Sequence, residues 1–304
     1  MEENKESLLT GYPNIISYEI TKKIIKQMER GICKFNIGSQ QGTGFFCQIP
    51  FPNENNMLPV FITSNHLINK NLLFKSDTII KLDIEEQNEL KVLELNNRIK
   101  YTNEEYDTTI IEIKEDDNLS LDYFLELDDI LIKNILDDIN QNKKYINGTL
   151  YIIQYPENQL SVSYGILNQI CGNKEYNFNH KCKTKRGSLG SPILTINNKL
   201  IGIHREGNNN NNIGTFLNYP IKEFIKLNYN KKNSIKENLG KLHRNLRKDN
   251  EIQNIHLKEE EYNSGNINKI IREKISLFRE NSLSGQKILV LMLWSCSLSE
   301  KEDK

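Results

Sequence analysis

Short apolar runs separated by turn residues dominate the chain from Ile32 onward, and they limit what the chain can fold into. Each run is only a few residues long and is bounded by turn residues such as Gly or Pro, as in "ICKFNIG" and "GTGFFCQI". This spacing is typical of antiparallel sheets, because a parallel sheet requires a crossover helix between successive strands. We therefore predict an antiparallel all-β fold, either a barrel or a sandwich.

The runs form two series of similar size. The first covers about 30–117 and the second about 147–226, with a mixed, acidic connector over about 118–146. Residues 1–29 contain isoleucines at helical spacing before Gly31, which predicts a short lead-in helix. Residues 227–304 are very polar, with some helical spacing, and are predicted to be a linker and partly helical tail.

Charge balance argues against two classes of partner. Forty Lys and Arg balance forty Asp and Glu, so the net charge is zero. No overall field attracts the chain to nucleic acid or to an anionic membrane surface, and neither is expected as a partner.

The longest apolar run, Ile288 to Trp294, is shorter than the ~18 residues of a membrane span. The N-terminus lacks the pattern of a secretory signal, so we predict a cytoplasmic location.

The cysteines and histidines show no metal-binding pattern. The five cysteines form no C-x-x-C pair and have no neighbouring histidines at zinc-ligand spacing, apart from His180 beside Cys182. We expect reduced core thiols, with a bridge between Cys171 and Cys182 as the alternative for a secreted chain. We expect no metal and no cofactor.

Three motifs follow one another in a meaningful order. They are "GTGFFC" at 42–47, "ITSNHLI" at 62–68 and "YDTTIIEI" at 106–113. They resemble trypsin-like, chymotrypsin-fold serine proteases, which implies a double barrel of two antiparallel six-stranded β-barrels over residues 30–226. The resemblance also implies that His66 is the general base and that Asp107 orients it. An imidazole takes the nucleophile's proton in this chemistry, while a carboxylate stabilises the imidazolium.

The nucleophile loop is present without its nucleophile. The family's loop reads G-x-S-G-x-P, and "TKRGSLGSPI" at 184–193 matches every position except that Leu189 replaces the serine. The resemblance implies an oxyanion hole formed by the N–H groups of Gly187 and Leu189. Leucine has no atom that attacks a carbonyl, and position 189 holds no cysteine either.

The resemblance extends to a specificity pocket. Thr184 and His204 lie at spacings similar to those of the threonine and histidine that contact the acidic substrate side chain in glutamyl endopeptidases. A pocket of this kind favours a peptide or protein ligand with a carboxylate side chain. The alternative is that His204 pairs with Glu206 on a hairpin surface. His180 lies in polar sequence, so we expect it at the surface.

Three functions follow from these residues. The first is a pseudoprotease that binds peptides or proteins but lacks the nucleophile. The second is an active serine endopeptidase with acidic preference that uses Ser188, as a possible substitute, or Ser191. The third is a structural or assembly role centred on the tail. The sequence does not decide the oligomeric state.

Overall fold

The computed structural model of the protein describes residues 12–37, 40–52, 56–87, 90–207 and 212–229, all within one compact unit, Met1–Ile235. The predicted tail from residue 230 onward, with its assembly role, lies outside the described residues.

The predicted lead-in helix is confirmed as α1, Tyr18–Arg30. Ser17 caps its N-terminus by accepting a hydrogen bond from the Ile20 N–H, and the Gly31 N–H donates to the Gln27 carbonyl at its end. Ile24 is the buried side chain of the helix and joins a hydrophobic core cluster.

Seven strands form the first sheet: β1 Ile32–Ile37, β2 Gln40–Pro50, β3 Met57–Thr63, β4 Ile79–Asp83, β5 Lys91–Glu94, β6 Lys100–Asn103 and β7 Thr108–Glu112. Their spatial order is β5-β4-β1-β2-β3-β7-β6, and all neighbouring pairs are antiparallel. Buried and exposed residues alternate along β4, as expected for a strand with one face on the core.

Six strands form the second sheet: β8 Thr149–Gln154, β9 Ser161–Ile170, β10 Asn177–His180, β11 Pro192–Thr195, β12 Leu200–Gly207 and β13 Asn212–Phe216. They close into an antiparallel barrel in the order β10-β13-β12-β11-β8-β9. Every residue of β8 is buried, and its four consecutive apolar residues, 150–153, all belong to one hydrophobic core cluster.

Short helices lie between and after the strands. They are α2 Lys70–Leu73, α3 Asp129–Leu136, a helical segment at 218–229 that we label α4, and four 3₁₀ turns at Glu115–Asp117, Leu121–Tyr123, Asn142–Tyr145 and Pro156–Asn158. The connector touches both sheets, since the Leu125 N–H donates to Phe46 and the Asp128 N–H donates to Leu200. Among the described helices, none is long and apolar enough to cross a membrane.

The all-β prediction is confirmed, and so is a closed six-stranded barrel in the second half. The first half differs from the predicted six-stranded barrel, because it has seven strands in a curled sheet whose edges, β5 and β6, do not pair. Edge strand β6 contacts α2 instead: the Lys100 ammonium donates to the Leu73 carbonyl over 3.1 Å. The described cysteines, 33, 47, 171 and 182, are free thiols.

Candidate active site

His66 and Asp107 meet at one end of the first sheet. His66 lies in the turn that follows β3, and Asp107 ends the turn that precedes β7, which pairs with β3. The distance from His66 Nδ1 to Asp107 Oδ1 is 2.8 Å, and the His66 N–H donates to the same oxygen over 2.9 Å. The Asp107 side chain is fully buried, whereas the imidazole is 64% exposed. A carboxylate thus holds one ring nitrogen and leaves the other, Nε2, facing outward.

Ser64 completes the surroundings of the Asp107 carboxylate. Its hydroxyl lies 2.8 and 2.9 Å from the two carboxylate oxygens, and it accepts a hydrogen bond from the His66 N–H over 3.1 Å. Asp107 adopts a positive φ of 48°, a conformation that a short polar side chain tolerates better than a branched one. The ring and the main-chain N–H of His66 are therefore both hydrogen-bonded to a carboxylate that Ser64 also contacts.

Two consecutive turns shape the loop that carries Leu189. In the first, the Ser188 N–H donates to the Lys185 carbonyl and Gly187 has φ +99° at the third position. In the second, the Ser191 N–H donates to the Ser188 carbonyl and Gly190 has φ +81° at the third position. A positive φ at this position is what a type II turn requires, and glycine adopts it without strain.

Thr43 of β2 fastens this loop to the first sheet. Its hydroxyl donates to the Gly187 carbonyl over 2.8 Å and accepts from the Tyr155 N–H over 3.2 Å. Its own N–H donates to the Leu189 carbonyl over 3.3 Å, and its carbonyl accepts from the Thr63 hydroxyl over 2.9 Å. One buried residue therefore links the Leu189 loop to the strand that leads into His66.

Leu189 and its two neighbouring serines are turned in different directions. The half-buried Leu189 side chain packs against the core cluster that contains Leu67. The Ser188 hydroxyl is buried and accepts a hydrogen bond from the Lys185 N–H over 3.1 Å. The Ser191 hydroxyl is fully buried and has no hydrogen-bond partner among the described residues. Neither hydroxyl is hydrogen-bonded to His66 in the described part of the chain.

Thr184 and His204 lie in the second barrel beside the same loop. The His204 N–H donates to the Ser191 carbonyl over 2.8 Å. The His204 ring is buried and its Nδ1 lies 3.3 Å from Nε2 of the buried His180 ring. The Thr184 hydroxyl donates to the Asn212 side chain over 2.9 Å, and Asn212 is the strand partner of His180. Thr184 and His204 are thus linked through these two residues without contacting each other directly.

Burial controls the charge of the two histidines. Desolvation lowers the pKa of His204 to about 4, and the same effect, with repulsion from His204, lowers the pKa of His180 well below its usual value. Both rings are consequently neutral near neutral pH. One of the facing nitrogens is then a donor and the other an acceptor.

Two expectations about histidines were wrong. His180 is 1% exposed and not a surface residue, because every residue of β10 is buried and its ring lies against that of His204. His204 does not pair with Glu206, whose nearest cation is the side chain of Arg205, at 3.9 Å. Residues 177 to 180 are all buried. Because their composition is mainly polar, the local sequence does not predict this burial.

The sequence analysis also missed Ser64 and Thr43. Both lie inside the motifs that pointed to the site, "ITSNHLI" and "GTGFFC". The available signals were the position of Ser64, two residues before His66, and that of Thr43, between two glycines. No group of three or more His, Cys, Asp or Glu side chains among the described residues is arranged to hold a metal ion.

Comparisons with known proteins give a consistent but weak likeness. No family model and no curated protein matches the chain. A serine endoprotease from Yersinia pestis is similar at 11% identity, covering 70% of this chain and 68% of that one, with a TM-score of 0.48. The HtrA-type protease AlgW with a tripeptide has 12% identity, coverages of 66% and 61%, and a TM-score of 0.45. A human pathogenic astrovirus serine protease has 15% identity, coverages of 69% and 95%, and a TM-score of 0.42.

Proposed function

We propose that this chain is a trypsin-like serine protease homologue that binds peptides or proteins in its cleft without cleaving them. The observation that carries the proposal is Leu189, which occupies the nucleophile position of a loop that is otherwise complete. The proposed domain spans 30–226, with barrel one at 30–117, a connector at 118–146 and barrel two at 147–226; 1–29 and 227–304 flank it. All described strands lie between residues 32 and 216.

The hydrogen bonds of the site support a binding cleft that lacks its nucleophile. In this proposal His66 is the general base and Asp107 is the acid that orients it. The 2.8 Å distance between His66 Nδ1 and Asp107 Oδ1 suits these two roles. The Ser188 hydroxyl is buried in its own turn and the Ser191 hydroxyl is fully buried, so neither is positioned to replace the serine. A catalytic group must be held within about 0.5 Å of its productive position, and a neighbouring residue does not meet that limit.

The proposed ligand has an acidic side chain. Thr184 and His204 are the proposed contacts, and the loop that begins at Thr184 contains exposed Lys185 and Arg186. A carboxylate entering this region meets the positive charge of these two exposed side chains, which favours it over an amide. Peptides with Glu are expected to bind the full chain at least about tenfold more tightly than their Gln counterparts, a difference of about 1.4 kcal/mol.

One labelling experiment tests the loss of catalysis. An active-site fluorophosphonate probe is applied to the wild type, to Leu189→Ser and to the double variant Leu189→Ser with Asp107→Asn. We expect no labelling of the wild type and clear labelling of Leu189→Ser, because a single hydroxyl completes the triad. The double variant, with its carboxylate charge removed, should label roughly 10⁴-fold more slowly.

The same experiment decides the alternative of an active endopeptidase. Labelling of the wild type that disappears in Ser188→Ala or Ser191→Ala would assign the reaction to that serine and overturn the proposal. If Leu189→Ser folds but does not label, the cleft is not assembled as a protease site. Cleavage of a Glu-containing peptide by the wild type would contradict the proposal independently.

A further inference from the structure

Three tyrosines from separate segments of the chain pack against one another. Tyr106 lies in the turn between β6 and β7, Tyr176 in the turn before β10 and Tyr219 in α4. The ring centroids of Tyr106 and Tyr176 are 5.0 Å apart, and the Tyr219 centroid lies 6.3 and 6.1 Å from them. Tyr106 and Tyr219 are only half-buried, so the cluster reaches the surface. We call these three residues the tyrosine surface.

The hydroxyl of Tyr176 has no hydrogen-bond partner among the described residues, although the residue is only 8% exposed. A buried tyrosine usually places its hydroxyl against a partner, because an unpaired polar group in the interior is unfavourable. Burial raises the pKa of Tyr106, and the nearby charges of Glu223, Glu105 and the Tyr176 hydroxyl raise it further. The Tyr176 hydroxyl is therefore an unused acceptor beside Tyr106.

Two carboxylates border the tyrosine surface and are held there by neutral donors. The Asn140 side-chain amide donates to Glu175 Oε2 and to the Tyr219 hydroxyl, each over 3.0 Å. The Asn103 side-chain amide donates to Glu223 Oε2 over 2.9 Å. In the part of the chain that the structure describes, neither carboxylate forms an ion pair. Their negative charge is therefore not compensated by a neighbouring side chain.

The basic residues of this region do not neutralise it. Lys222 in α4 is paired with Asp138 over 2.7 Å. The Arg205 guanidinium lies 3.9 Å from the Glu206 carboxylate and donates to a main-chain carbonyl in the turn before β7. Lys174 is exposed and forms no ion pair with a described residue. A cationic ligand therefore meets carboxylates that have no internal partner.

The faces of these rings carry no internal cation. Lysine ammonium groups lie over the rings of Tyr18 and Phe74, but none of the described cations lies over a ring of the tyrosine surface. An aromatic face attracts a cation through the ring quadrupole, and the attraction grows where water is partly excluded. The half-buried rings and the unpaired carboxylates thus attract the same kind of ligand.

We propose that the tyrosine surface binds an arginine side chain from a basic segment of a partner protein. The guanidinium is planar and stacks on aromatic faces, and its N–H groups need acceptors. The Tyr176 hydroxyl and the carboxylates of Glu175 and Glu223 supply them. This site shares no residue with the proposed peptide cleft and does not depend on that function.

Arginine fits this site better than lysine. A lysine ammonium is compact and strongly hydrated, whereas a guanidinium is weakly hydrated and offers five donors in one plane. The acceptors here are spread around the rings and include a buried hydroxyl, which suits a planar group with several donors. Tyrosine and arginine are also the residues that most often dominate the binding energy of protein interfaces.

Three fluorescein-labelled peptides test the inference on the full chain by fluorescence polarisation. They contain glycine-separated copies of arginine, of lysine or of citrulline, which has the shape of arginine without its charge. We expect the arginine peptide to bind at least about tenfold more tightly than the citrulline peptide and at least about threefold more tightly than the lysine peptide. Equal binding of any two, or no binding of the arginine peptide, would overturn the inference. The proposed function is judged separately, by binding of Glu-containing peptides.

Removing two exposed carboxylates locates the binding site. Glu105→Gln combined with Glu175→Gln should weaken binding of the arginine peptide at least about fivefold. Glu85→Gln combined with Glu94→Gln is the matched control, because it changes the net charge equally at exposed positions near β4 and β5. The control should stay within about twofold of the wild type. Equal losses in the two double variants would indicate unspecific attraction and overturn the site.

Removing one ring tests the aromatic contact. Tyr219→Leu retains an apolar side chain and should weaken binding of the arginine peptide at least about threefold. Tyr229→Leu, in the same helix at a 47% exposed position, is the control and should stay within about twofold. Unchanged affinity in a Tyr219→Leu variant that a thermal melt shows to be folded would overturn the inference. If this variant does not fold, the exposed glutamate pair decides, because neither of its side chains belongs to the core.

Discussion

Gly190 is the residue at which the geometry of the site depends most directly on the absence of a side chain. Its φ of +81° is accessible to glycine without strain. A Cβ at this position would lie 2.3 Å from the Thr43 carbonyl oxygen and 2.5 Å from the Thr63 hydroxyl oxygen. The loop therefore approaches the first sheet as closely as it does because position 190 has no side chain.

A substitution at this residue should be costly. Gly190→Ala places a residue with a Cβ in a left-handed conformation, which costs about 1–2 kcal/mol, and adds a clash with main chain. We therefore expect the free energy of unfolding to fall by at least about 2 kcal/mol. Gly172→Ala is the control, since a Cβ there meets nothing within 4 Å. Its free energy of unfolding, measured in urea, should stay within about 0.5 kcal/mol of the wild type. Equal effects in the two variants would contradict the role of the close approach.

At the scale of elements, strand β2 carries the connection between the two sheets. The Thr43 hydroxyl satisfies the Gly187 carbonyl and the Tyr155 N–H at once. Two loops of the second barrel, the one that follows β8 and the one that precedes β11, are thereby held against the first sheet. The position of the Leu189 loop against the first sheet is a product of this contact and not of the loop alone.

Thr43→Val keeps the shape of the side chain and removes its hydroxyl. Leaving a buried donor and a half-buried acceptor unpaired should cost about 1–3 kcal/mol in urea unfolding. The affinity for a Glu-containing peptide should also fall, because the Gly187 loop is no longer fixed. Thr78→Val is the matched control, since it removes an exposed hydrogen bond to the Lys75 carbonyl, and its effect should be within about 0.5 kcal/mol. Unchanged stability and affinity in Thr43→Val would contradict this role.

On the scale of the whole molecule, the closed second barrel contributes to how stability depends on pH. It buries the facing rings of His180 and His204 and lowers the pKa of both. Folding thus holds two imidazoles neutral at pH values where the unfolded chain protonates them. Between about pH 6.5 and 4 the unfolded state binds more protons, so the free energy of unfolding decreases as the pH falls.

The size of this decrease can be measured. For His204, a pKa lowered from 6.5 to about 4 corresponds to about 3 kcal/mol of stability lost across that window. Urea unfolding of the wild type at pH 7 and pH 4.5 should show most of this loss, and His204→Gln should show a smaller one because it removes one titrating ring. A wild-type stability that does not change between these pH values would contradict the burial of the pair.

Local sequence patterns predicted much of the fold and part of the site. The short apolar runs predicted the strands, and helical spacing before Gly31 predicted α1, because the periodicity of burial is a local property. The motifs around His66 and Asp107 predicted two side chains that lie 2.8 Å apart. The open first sheet was not predicted, since closure depends on whether β5 and β6 meet, and no local pattern encodes that.

The sequence by itself determined which atoms are available at the site, and the tertiary structure decided what surrounds them. Leu189 has no nucleophilic atom in any fold, so the sequence alone excludes its side chain as the attacking group. The partners of Ser64, Thr43 and His180 come from segments distant in the chain, so only long-range packing brings them together. Hydrogen bonds and burial are properties of the assembled sheets, and they fix the Leu189 loop against the first sheet.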